Sequence, residues 1–189
     1  MEQVNPNKDL SRLIILSDLW GFQNCQWIGL YEKALSKKFN VSLHDCRELG
    51  QVDLKSNSQQ MIHSQFVGGG IDKAVENLIA QEQEEVHVLG FSVGGTIAWQ
   101  AVTSGLKALS LTAVSATRLR HEKESIPCKL ALYFGENDEY KPSQDWAVQL
   151  AVKLDIIDGY GHHVYSEPES IQRIVSELID REAVSDTQL

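Results

Sequence analysis

Glycines at positions 90, 94 and 95 surround a serine in the run Gly90-Phe91-Ser92-Val93-Gly94-Gly95. The residues before it, Glu85-Val86-His87-Val88-Leu89, have the composition of a short buried strand, and Thr96 to Val102 that of a helix. A strand-to-helix turn this tight leaves no room for a side chain at position 90 or 94. It thrusts the serine hydroxyl beyond the strand end, and the helix that follows opens with unpaired N–H groups and the positive end of its dipole. One short segment thereby supplies a nucleophile and half of an anion-binding hole, the arrangement of a nucleophile elbow. Composition alone yields Gly-x-Ser-x-Gly on the order of once in twenty chains of this length, so the rest of the chain has to decide.

The rest of the chain alternates strand and helix patterns. Arg12 to Leu16 is a continuous apolar run, as in a strand covered on both faces. Trp27, Ile28, Tyr31, Ala34 and Leu35 recur at helical spacing, and Val41 to Asp45 reads as a weaker, edge strand. Residues 47 to 66 are polar and rich in Gln and Ser, which predicts a long loop with room for a helical turn. Gly68-Gly69-Gly70 has no strand before it and no P-loop Lys after it, so it is expected to be flexible linkage. Ile71, Ala74, Val75, Leu78 and Ile79 then form an amphipathic helix stripe. Ala108–Val114, Lys129–Phe134 and Val152–Ile157 read as strands, and Asp145 to Leu150 as a short helix. Ser166-Glu167-Pro168-Glu169 reads as a capping box opening a last helix with the stripe Ile171, Ile174, Val175, Leu178 and Ile179. The expected architecture is α/β: a three-layer α/β/α sandwich around a mainly parallel sheet of about six strands, without a cap domain. One domain spans 1–189, with residues 1–10 and 182–189 as frayed tails.

Charge and cysteine usage narrow the function classes. The net charge of −9 disfavours nucleic acid and anionic membrane surfaces as partners. Cys25, Cys46 and Cys128 are odd in number and lack Cys-x-x-Cys spacing, which disfavours a disulfide framework or structural zinc. No His/Cys cluster argues for a metal, and no cofactor is expected. Residues 1–10 lack an apolar run of signal-peptide length, so the expected location is cytoplasmic.

In parallel sheets chemistry sits beyond the carboxyl ends of the strands. Asp138 follows the strand ending at Phe134, and His162 follows the strand ending at Ile157. A neutral imidazole can take the proton of an attacking serine, and a carboxylate on its far nitrogen fixes the tautomer and stabilises the imidazolium. Ser92, Asp138 and His162 are therefore the candidate catalytic set. Glu136 remains open as the carboxylate and His163 as the base; His44, His63, His87 and His121 read as solvated or structural.

Taken together, Gly-Phe-Ser-Val-Gly-Gly-Thr-Ile-Ala, the loop Gly135-Glu-Asn-Asp138-Glu-Tyr-Lys-Pro142, and Gly161-His162 running into Glu167-Pro168-Glu169 resemble the α/β-hydrolase superfamily over residues 12 to about 180. The resemblance implies a small, lidless serine hydrolase acting on an ester or thioester of a small acyl substrate. It makes the backbone N–H groups of Leu19 and Val93 the oxyanion-hole donors. One departure weighs against activity. Where the family usually has His-Gly, this chain has Ser17-Asp18, and a carboxylate about 4 Å from an oxyanion would repel it by roughly 4 kcal/mol at an effective dielectric of 20. A working site therefore requires the Asp18 side chain to be turned away and tied to backbone or solvent. The alternative is a non-catalytic binding protein on the same fold, its oxyanion hole impaired by Asp18. Trp20, Phe22, Phe91 and Tyr140 are candidates to line an apolar acyl pocket.

Overall fold

In the computed structural model, residues 10–23 and 25–185 are described, and within them six strands form one sheet. They are β1 (Arg12–Leu16), β2 (Asn40–His44), β3 (Val86–Phe91), β4 (Ala108–Val114), β5 (Lys129–Gly135) and β6 (Leu154–Ile157). Their order is β2-β1-β3-β4-β5-β6, and every neighbouring pair is parallel. The connecting helices are α1 (Gln26–Leu35), α2 (Cys46–Leu49), α3 (Gln59–Gln65), α4 (Ile71–Gln81), α5 (Val93–Thr103), α6 (Gln144–Gln149) and α7 (Pro168–Ser185).

The unbroken apolar run of β1 has a direct structural cause. Leu13 and Ile15 pack on one face of the sheet with Tyr31 and Leu35 of α1 and Ile174 of α7. Ile14 and Leu16 pack on the other with Leu78 of α4 and Ile97 of α5. A strand covered on both faces has no polar side, so alternation disappears. The α4 and α7 stripes are buried as their spacing requires, with Ile79 and Ile179 at the half-buried edge of each. Fully burying such a side chain is worth about 1.5–3 kcal/mol. The strand order reverses beside β1: the chain first moves to β2, then crosses back to β3. Segments leaving β1 and β3 diverge at that point and open a crevice.

Four local expectations are corrected. Residues 47–66 are not one long loop, for they contain most of α2 and all of α3. Each helix has a side-chain cap: the Asp45 carboxylate accepts from the Arg47 N–H at 2.8 Å, and Ser58 Oγ accepts from the Met61 N–H. Only Ile62 of α3 is buried, too little apolar signal to stand out from its polar neighbours. The glycine triplet is not a flexible link. It forms a π-type turn, Phe66–Gly70, in which Gly69 takes φ +124° and joins α3 to α4 through a kink. Ser166 does not cap α7; its hydroxyl donates to the His163 carbonyl at 2.8 Å, and Pro168 is the first helical residue. Finally, α7 continues past Arg181, and the Glu182 carboxylate accepts from Ser11 at 2.6 Å and lies 2.9 Å from His87 Nε2. The expected tails at 1–9 and 186–189 lie outside the described residues.

Glu82 is 5% exposed and accepts two bonds from the Arg12 guanidinium at 2.8 Å and one contact from His44 Nε2 at 2.8 Å. Burial acts to raise the Glu82 carboxyl, but Arg12 and His44 outweigh it and hold it below the usual range. A depressed carboxyl adds stability above its unfolded pKa and loses it as pH falls through the folded one. Arg12→Met is expected to cost about 1–3 kcal/mol at pH 7, because it leaves a buried carboxylate with one partner fewer. Urea unfolding at pH 7 and pH 4 checks this: the gap between wild type and variant narrows at the lower pH.

No described helix is long and apolar enough to cross a membrane. Among the described residues all three cysteines are free, and burial pushes the Cys25 and Cys128 thiols up to about 11. That leaves them weak nucleophiles.

Candidate active site

The elbow is built by close backbone approach. A Cβ on Gly90 would lie 2.7 Å from the Gly95 Cα, one on Gly94 would lie 2.4 Å from the Ser17 carbonyl oxygen, and one on Gly95 would lie 2.7 Å from the Ala116 Cβ. Three glycines therefore let α5 start directly against the ends of β1, β3 and β4. Ser92 takes φ +50° and ψ −114°, and its N–H donates to the Val114 carbonyl at 2.8 Å. A non-glycine residue there costs about 1–3 kcal/mol, which the surrounding structure holds in place.

Ser92 Oγ lies 3.0 Å from His162 Nε2, and His162 Nδ1 lies 2.8 Å from Asp138 Oδ2. The other Asp138 oxygen accepts the Tyr140 N–H at 3.1 Å. Asp138 is 2% exposed, whereas the His162 side chain is one-third exposed. Burial acts to raise the Asp138 carboxyl, but its hydrogen bond to His162 and the charge there, helped by the Tyr140 N–H, outweigh it and lower it. The two loops that meet here cross at Gly135. Its missing Cβ would lie 2.3 Å from the Gly161 carbonyl oxygen, and the Asn137 N–H donates to the Tyr160 carbonyl at 2.8 Å. The two open alternatives sit elsewhere: Glu136 accepts from the Gly159 N–H at 3.0 Å, and His163 Nδ1 faces the Tyr165 hydroxyl at 3.1 Å.

Leu19 and Val93 lie beside Ser92 on the wall of a cavity of about 500 Å³. Val93 is the first residue of α5, so its N–H has no intrahelical acceptor. Asp18 lines the same cavity, so its side chain is not turned away from it, but it is tied down by the backbone of one residue and the side chain of another. One oxygen accepts the Trp20 N–H at 2.9 Å and the other accepts the Tyr165 hydroxyl at 3.2 Å. It is 3% exposed, and this burial pushes its carboxyl up despite those bonds and the nearby His163 and His162.

The candidate pocket aromatics divide. Trp20 and Tyr140 are on the cavity wall. Phe91 is not: it is fully buried on the α1 and α7 side, its ring 4.7 Å from that of Trp27. Phe22 is also absent from the cavity, and its N–H donates to Asp45 at 2.8 Å. The sequence reading missed the other walls. Gln59, His63, Phe66 and Val67 come from α3 and its kink, while Arg118 and Arg120 come from a 3-10 turn, Thr117–His121. The one available signal for the first wall was Ile62 and Phe66 at i, i+4 within a polar stretch. His87 and His44 are structural, bonded to Ser110 at 2.8 Å and to Glu82. Among the described residues no group of three His, Cys, Asp or Glu side chains is placed to hold a metal.

No family model and no curated protein matches the sequence. Solved structures do match. A Thermoplasma acidophilum protein described as a predicted CIB-like hydrolase is 21% identical, with 94% of this chain and 89% of that one covered at a TM-score of 0.64. The mouse alpha/beta hydrolase domain-containing protein 10 is 13% identical, with 100% and 93% covered at 0.65. Est1E from Butyrivibrio proteoclasticus, solved with ferulic acid bound, is 12% identical, with 98% and 92% covered at 0.63. At such identities the likeness is one of fold.

Proposed function

We propose that this chain, which has the α/β-hydrolase fold, is a serine hydrolase that cleaves an ester or thioester of a small acyl substrate. The observation that carries the reading is the continuous path from Ser92 Oγ through His162 to the buried Asp138 carboxylate, at 3.0 and 2.8 Å. Ser92 attacks the acyl carbonyl while His162 Nε2 takes its proton. Asp138 keeps the other imidazole proton on Nδ1 and stabilises the cation that forms. The N–H groups of Leu19 and Val93 face the developing oxyanion. His162 returns its proton to the leaving group, the acyl-enzyme forms, and water attacks it with His162 again as base. The third-exposed imidazole gives that water access.

The binding-protein alternative rests on Asp18, and the bonds that hold its two oxygens in place weaken that objection. A fluorophosphonate probe separates the two. Wild type is expected to label to about one equivalent and Ser92→Ala not at all. Equal labelling of both removes Ser92 from the chemistry. No labelling of a folded wild type, with no burst on an activated ester, favours the binding protein.

A further inference from the structure

The chain carries a net charge of −9, yet the cavity at Ser92 has the opposite balance. Arg118, Arg120, His63, His162 and His163 line it, and Asp18 is the one carboxylate on its wall. Elsewhere the surface arginines are spoken for: Arg12, Arg173 and Arg181 each pair with a glutamate. Arg120 is held by its own turn, donating to the Thr117 carbonyl at 2.7 Å and lying over the Tyr140 ring at 5.7 Å. Arg118 is half-buried, and among the described residues neither it nor Arg120 pairs with a carboxylate. The neighbouring Glu122 accepts a bond from Gln100 at 2.7 Å instead. His121 on the same turn is pushed down by burial first and then by Arg120 and Arg118, with Glu122 acting in the opposite sense. A half-buried arginine on the wall of the nucleophile's cavity, without a carboxylate partner among the described residues, is suited to a carboxylate brought by the ligand.

We propose that the substrate carries a carboxylate in addition to its scissile carbonyl, and that Arg118 binds it. The inference rests on the serine-hydrolase reading, since it places the cleaved bond at Ser92.

The test compares matched esters after correction for spontaneous hydrolysis. Mono-4-nitrophenyl adipate is set against 4-nitrophenyl hexanoate for a carboxylate on the acyl side. 3-Acetoxybenzoate is set against phenyl acetate for one on the alcohol side. Wild type is expected to favour the anionic ester of at least one pair in kcat/KM by about tenfold or more, the scale of one charge-assisted hydrogen bond. Arg118→Gln is expected to erase that preference, Arg118→Lys to keep most of it, and added salt to shrink it. No anionic preference in either pair, or a preference that survives Arg118→Gln, overturns the inference and leaves the hydrolase reading standing. Should neither ester turn over, calorimetric titration with monomethyl adipate decides separately. Binding by wild type that is lost in Arg118→Gln supports the anion site, with fluorophosphonate labelling of Ser92 deciding the hydrolase reading separately, while no binding by wild type overturns the inference. Should Arg118→Gln fail to fold, Arg118→Lys and the salt series on wild type carry the same comparison, and an anionic preference insensitive to salt overturns the inference.

Discussion

Asp138→Asn is expected to lower kcat by about 10⁴-fold on an activated ester near pH 7, with the protein still folded. The cause is the tautomer of His162. In the wild type Asp138 Oδ2 lies 2.8 Å from His162 Nδ1, while Oδ1 is occupied by the Tyr140 N–H. That N–H keeps an oxygen at the Oδ1 position of the asparagine, so its amide nitrogen is the atom that faces Nδ1. Nδ1 then has to accept, the imidazole proton moves to Nε2, and Nε2 can no longer take the proton of Ser92. Stability responds with a different pH dependence. The Asp138 carboxyl is lowered in the fold, so it contributes stability above its unfolded pKa, about 3.9, and loses it as pH falls through the folded value. The variant is therefore expected to melt below wild type at pH 7 and nearer to it at pH 3.5. Steady-state kinetics beside thermal melts at the two pH values separate the effects. A kcat within tenfold of wild type excludes Asp138 as the group that orients the base.

The strands and the three polar residues that meet at the candidate site were legible in the sequence for one shared reason: each is fixed by its immediate neighbours. A doubly covered strand such as Arg12–Leu16 has to be apolar throughout, and Ser92 has to lie among glycines that let α5 begin against the ends of β1, β3 and β4. Asp138 and His162 each follow a strand end, where a parallel sheet collects its chemistry. The walls of the cavity were not legible, because they depend on which segments meet across the fold. In α3 only Ile62 is buried, so its stripe is too thin to separate from a Gln- and Ser-rich loop, and its function as a wall comes from the kink at Gly69. Phe91 shows the same limit in reverse. It sits beside the nucleophile in sequence, but successive strand residues point to opposite faces, and that puts its ring among Trp27, Tyr31 and Tyr165 rather than at the site. Asp18 was anticipated as a problem, and half of what holds it in place, the Trp20 N–H, is local. The other half, the Tyr165 hydroxyl, is contributed from 147 residues away.

Gly135→Ala is expected to destabilise the protein by about 2–4 kcal/mol and to lower kcat/KM by about a hundredfold in whatever fraction stays folded. The added methyl would stand 2.3 Å from the Gly161 carbonyl oxygen and 2.4 Å from that of Tyr160, both backbone atoms that cannot rotate away. Relief requires the β5 end and the loop after β6 to separate by several tenths of an ångström. Those two segments carry Asp138 and His162, so the strain is released along the line on which the carboxylate and imidazole meet. Gly161→Ala is the matched control. It lies in the same loop, two residues after the β6-side turn at Gly159, with φ −96° and open space around the position of its Cβ. It is expected to stay within about 0.5 kcal/mol of wild type, the range of substitutions that meet nothing. Urea unfolding and ester kinetics on the two variants together provide the check. If both alanines behave alike, the crossing at Gly135 is not what holds the acid and the base in register.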